Sequence, residues 1–124
     1  DRDSRVLIVT ASERSLAEVR ADVGYLRCPG GVDLAIALAQ LRDAHGVRAI
    51  LCEGGPHLNA SLVAGGLIDE LFLTTFPVIA GGAGALTIID GAPLESPAAL
   101  SLLSLCEHAG ELFARYGVRS AAAG

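Results

Sequence analysis

The apolar run VLIV, set inside RVLIVT at residues 5–10, constrains this chain more than any other feature. Its apolarity is continuous rather than alternating, which marks a strand covered on both faces, as in parallel sheets. Further strand-length runs follow at 23–27 (VGYLR), 48–52 (RAILC) and 69–76 (DELFLTTF). Between them, Pro29, Gly30 and Gly31 break the chain, and Asp33 is placed to cap a helix. Leu34, Leu38 and Leu41 then share one face, and Gly46 stands where a helix ends. A second helix over about 57–65 turns Leu58 and Leu62 inward and stops at Gly65-Gly66. A short helical turn is expected near 15–20. Residues 77–97 are rich in Gly and Pro, with a short apolar patch from Leu86 to Ile89. The stretch 98–118 holds one or two strands, Leu112 to Val118 being the better candidate. Strand, helix, strand, helix, strand predicts an α/β fold with right-handed crossovers and a mostly parallel sheet flanked by helices. One domain over 1–119 is expected, with a disordered tail over 120–124.

Composition removes several classes of function. The chain carries net charge −5 and no Lys, and its nine Arg are scattered, so there is no basic stripe for a nucleic-acid backbone. Two Tyr, three Phe and no Trp supply little surface for stacking bases. Cys28, Cys52 and Cys106 are odd in number and lack CxxC spacing, which argues against disulfides and zinc and favours a reducing cytosol. No apolar run is long enough to span a bilayer, and no membrane partner is expected. The sequence opens on Asp1 rather than Met, and a strand pattern begins almost at once. A preceding segment is therefore expected.

Ligands of parallel sheets sit at the carboxyl ends of the strands. Two such ends stand out. In LCEGGPHLNAS, Leu51 to Ser61, a strand gives way to a glycine pair and a helix N-terminus. Free N–H groups and the helix dipole there suit a pyrophosphate, and Gly54 and Gly55 bring no Cβ to hold it away. Asn59 and Ser61 add side-chain donors. A plain tight turn explains the glycine pair equally well. Glu53, at the end of an expected buried strand, either caps nearby N–H groups or binds donors of a substrate heterocycle. Thr10, Ser12 and Arg14 follow the first strand. They suit a phosphate monoester such as the 2′-phosphate of NADPH, or else form an ordinary polar loop. Cys52 reads as core, His57 as a neutral surface or ligand-adjacent residue, and Asp69 and Glu70 as turn residues or partners for an Arg. No catalytic triad and no metal site can be argued from the spacing.

These residues resemble a known family. The run from Arg48 to Gly82, with Glu53-Gly54-Gly55, Asp69-Glu70, Pro77 and Gly81-Gly82, is similar to the C-terminal reductase domain of the riboflavin-synthesis deaminase/reductases. It is also similar to the pyrimidine reductases and the wider dihydrofolate-reductase-like group. The resemblance implies a three-layer fold of which this chain holds the C-terminal part. It implies NADPH as cofactor, reduction of a ribosylamino-pyrimidine, a cytoplasmic location and a homodimer. Gly54, Gly55, Pro56, His57, Leu58, Asn59, Ala60 and Ser61 would hold the cofactor's phosphate region. The same resemblance raises a cis Gly54–Gly55 peptide. Thr10 and Ser12 would take the adenosine side, and Glu53 would face the substrate. No catalytic nucleophile is implied, because orienting a hydride donor against its acceptor is the main task. The family's N-terminal half and the deaminase zinc motif are missing, so no deaminase activity is expected. A dihydrofolate or pteridine reductase, a non-catalytic nucleotide-binding module and a structural fragment pairing through sheet edges are the alternatives.

Overall fold

The computed structural model describes residues 5–17, 19–82, 84 and 87–119; the tail expected to be disordered and Leu86 lie outside them. The chain divides at Leu51/Cys52 into two compact units.

In the first unit, β1 (Arg5–Thr10) and β2 (Asp22–Arg27) pair in parallel, with Ile8 beside Tyr25 and Thr10 beside Arg27. Gly24 fits because a Cβ there would lie 3.0 Å from Leu7 Cδ1. Helix α1 (Leu34–His45) starts where Asp33 accepts the Ile36 N–H at 3.0 Å. It ends at Gly46, whose φ of 68° is left-handed and whose N–H returns to the Arg42 carbonyl. Ala37 is buried and Leu34, Leu38 and Leu41 are half-buried, the face expected from their spacing.

In the second unit, α2 (Pro56–Ala64) runs into Gly65-Gly66 as expected. Three strands then form an antiparallel sheet in the order β3 (Glu70–Thr75), β5 (Glu111–Arg119), β4 (Ala99–His108). Ala109 and Gly110 join β4 to β5, with φ of 53° and 82°. A two-residue hairpin turn needs such values to match the twist of its strands. A register shift between Leu102 and Ser104 bulges β4. Glu70 and Arg115, diagonal neighbours across β3 and β5, form a two-point ion pair at 2.9 and 2.5 Å. Arg115 also lies 5.7 Å over the Phe72 ring.

Several expectations are corrected. The α/β class stands, but β1–β2 is the parallel pair among the described residues and the other two pairings are antiparallel. Strand β1 is half-buried over Leu7–Thr10, not covered on both faces. Residues 48–52 form no strand. Among the described residues no backbone hydrogen bond engages them, and Ile50 and Leu51 are 54% and 77% exposed. Apolarity made that run suitable for a sheet interior, but a strand also needs a partner's N–H and C=O groups. Cys52 is accordingly exposed rather than core. Leu62 is buried as expected, whereas Leu58 is not. No helical turn forms in the described part of 15–20. No cis peptide occurs among the described residues, so the Gly54–Gly55 bond is trans.

Candidate functional site

Two places carry the candidate residues, one in each unit. In the second unit, Gly55 is the N-cap of α2 with no side-chain cap, and Pro56 fills the first helical position. Pro contributes no N–H, and the first intrahelical bond runs from Asn59 N–H to the Gly55 carbonyl at 3.1 Å. The N–H groups of His57 and Leu58 are therefore left without a partner among the described residues. They carry the positive end of the helix dipole. A Cβ at Gly55 would meet nothing within 4 Å, so the space in front of the turn is open. One at Gly54 would lie 2.5 Å from Leu58 Cδ2, the mobile end of a side chain.

The polar side chains of this turn are engaged elsewhere. Asn59 donates to the Ile88 carbonyl at 3.0 Å, and His57 Nδ1 lies 2.8 Å from the Asp90 carbonyl. Asp90 N–H returns a bond to the Pro56 carbonyl at 3.2 Å. Ser61 Oγ donates to the His57 carbonyl within the helix. The 88–91 loop is thus fastened to α2, and at Gly91 a Cβ would lie 2.8 Å from that of Ala60. The donors of this turn left without a partner among the described residues belong to the backbone. Glu53 is exposed and its carboxylate makes no hydrogen bond among the described residues. The burial cost inferred from the sequence does not arise, and Glu53 is free to accept from a ligand.

In the first unit, Thr10 Oγ1 accepts the Ser12 N–H at 3.0 Å, and Ser12 Oγ accepts the Arg14 N–H at 3.2 Å. Each hydroxyl keeps its own proton to donate. Two residues of β2 missed by sequence reasoning shape this loop. Arg27 donates to the carbonyls of Ser12 and Arg14 and to Ser15 Oγ. The Tyr25 hydroxyl accepts the Leu16 N–H at 2.6 Å. The signal available was alternation, since Tyr25 and Arg27 share one face of a strand.

The family model of the RibD C-terminal domain matches residues 1–113. The chain belongs to the RibD C-terminal domain family. A 2,5-diamino-6-ribosylamino-4(3H)-pyrimidinone 5′-phosphate reductase of Methanothermobacter thermautotrophicus is 39% identical over 67 residues, covering 54% of this chain and 31% of the relative. The chain spans less than a third of the length of the curated relatives it matches. Among solved structures, Acinetobacter baumannii RibD superposes with a TM-score of 0.67 at 21% identity, covering 79% of this chain and 27% of that one. The riboflavin biosynthesis reductase Rib7 of Saccharomyces cerevisiae gives 0.67 at 18% identity, covering 93% and 56%. At such identities these likenesses establish the fold of this RibD C-terminal domain, which is dihydrofolate-reductase-like. No helix of the described residues is long and apolar enough to cross a membrane. No group of three His, Cys, Asp or Glu among them could hold a metal ion.

Proposed function

We propose that this RibD C-terminal domain serves an NADPH-dependent reductase that reduces a ribosylamino-pyrimidine phosphate in riboflavin synthesis. The observation that carries the reading is the uncapped start of α2, with two N–H groups lacking a partner among the described residues and open space at Gly55. A relative named as a pyrimidinone phosphate reductase supports the same chemistry. The residues present fit the cofactor. Bare backbone at Gly55, His57 and Leu58 suits a pyrophosphate, and the wider stretch Gly54–Ser61 shapes that turn. The hydroxyls of Thr10 and Ser12 suit a 2′-phosphate. NADPH, when bound, supplies the hydride. Glu53 accepts from N–H groups of the substrate ring and orients it. Holding the two reactants in place accounts for the rate, with no covalent step by the protein. A cytoplasmic homodimer completes the proposal.

Fluorescence titration with NADPH, followed by loss of NADPH absorbance with the ribosylamino-pyrimidine and with dihydrofolate, tests this reading. Binding with turnover of the pyrimidine alone is expected. Turnover of dihydrofolate alone would move the assignment to a pteridine reductase, and binding without turnover would make it a nucleotide-binding module. Glu53→Gln should lower turnover while leaving NADPH affinity within about twofold, as loss of a substrate contact predicts. An equal fall in both removes the substrate role.

A further inference from the structure

We infer that Arg27 is a positioning residue that sets the preference for a 2′-phosphorylated nucleotide by holding the loop after β1 in its binding shape. The inference rests on the proposed placement of the 2′-phosphate at Thr10 and Ser12.

Arg27 is the last residue of β2 and the register partner of Thr10, the last residue of β1. Paired residues of adjacent strands project to the same face, which puts the guanidinium beside the start of the loop. Nη1 donates to the Ser12 carbonyl, and to the Arg14 carbonyl at 2.7 Å; Nη2 donates to Ser15 Oγ at 2.8 Å. The guanidinium lies 4.3 Å from the centroid of the Tyr25 ring. Tyr25 in turn accepts the Leu16 N–H, so the two side chains share one loop between them.

Three consequences follow. The carbonyls of Ser12 and Arg14 are turned toward Arg27, so they do not confront an anion bound at the hydroxyls. The Ser12 and Arg14 N–H groups are fixed on Thr10 Oγ1 and Ser12 Oγ, which leaves the hydroxyl protons as the donors. A permanent positive charge also lies behind a loop that would meet a doubly negative group. A planar fork with several fixed donors does this, whereas the three donors of an ammonium cannot span the same acceptors in one plane.

The test compares NADPH and NADH affinity, by fluorescence titration, in the wild type, Arg27→Met, Arg27→Lys and the Thr10→Ala, Ser12→Ala pair. Hydrogen exchange of residues 11–16 is followed alongside. Arg27→Met should weaken NADPH about tenfold, the scale of a lost charged hydrogen bond, and NADH less than about twofold. Exchange of the Ser12 and Leu16 amides should accelerate. Arg27→Lys keeps the charge and should recover part of the NADPH loss while the loop stays loose. Equal weakening of both nucleotides by both variants, or unchanged exchange in the loop, overturns the inference. If the hydroxyl pair shifts the preference and Arg27→Met does not, the inference alone fails. If neither shifts it, the placement of the 2′-phosphate fails with it.

Discussion

The loop after β1 and the opening of α2 differ in what they present to a ligand. The first is built from side chains: two hydroxyls accept N–H groups of the loop and keep their own protons to donate, while Arg27 and Tyr25 engage its carbonyls and one N–H. The second is built from backbone: Gly55 and Pro56 add nothing that could cover the His57 and Leu58 N–H groups, and Asn59 and His57 reach sideways to the 88–91 loop. Hydroxyls on a held loop can tell one nucleotide from another. Bare N–H groups at a helix start attract any phosphate that fits. Binding strength should therefore reside mainly in the second region and discrimination in the first.

The largest effect should come from filling the open space. Gly55→Val should cost about a hundredfold in affinity for NADPH and NADH alike, the scale of two charge-assisted hydrogen bonds. Its thermal midpoint should change little, because Gly55 has φ of −76° and no neighbour in the way. Retained affinity would remove the cradle. The Thr10→Ala, Ser12→Ala pair should cost about tenfold with NADPH and less than about twofold with NADH. A loss shared by both nucleotides would erase the contrast between the regions. Gly91→Ala forces its Cβ against Ala60 and should cost about 1–2 kcal/mol in denaturant unfolding, the scale of overpacking. Wild-type stability would mean that the 88–91 loop does not seat on α2.

The smallest effect lies outside both regions. The Arg115 guanidinium, hydrogen-bonded to Glu70, holds that carboxyl below the usual carboxylate range. A lowered folded value adds stability above the ordinary carboxylate pKa, and the addition is lost as pH falls through the lowered one. The gap in thermal midpoint between wild type and Glu70→Gln should accordingly be small near neutrality and close on acidification. A gap that ignores pH would show that the pair contributes nothing.

Local punctuation was legible in the sequence because each signal is short-range. Asp33 caps α1, Gly46 ends it, and Glu70 finds an Arg. The failures share a different cause: a distant partner that decides the outcome. The 15–20 segment has helical composition, but its entry, the Ser12 carbonyl and the Leu16 N–H, is held by side chains of β2. Tyr25 accepts from Leu16 and Arg27 donates to Ser12, and neither residue is near the segment in sequence. RAILC has the apolarity of a central strand and no pairing neighbour among the described residues. The glycine pair and the helix start were visible as a candidate site. The engagement of Asn59 and His57 with the 88–91 loop was not, because those bonds close over about thirty residues of sequence.

The 88–91 loop is gripped through its main chain: the carbonyls of Ile88 and Asp90 accept, and the Asp90 N–H donates. At Ile88 and Ile89 a grip of this kind does not read side chains, whereas Gly91 must stay small beside Ala60 and the Asp90 carboxylate lies 3.7 Å from His57 Nε2. A cysteine at Ile89, carrying a fluorophore, would ride on the loop without disturbing what fastens it. Such a reporter would show directly whether the loop lifts from the helix when nucleotide arrives.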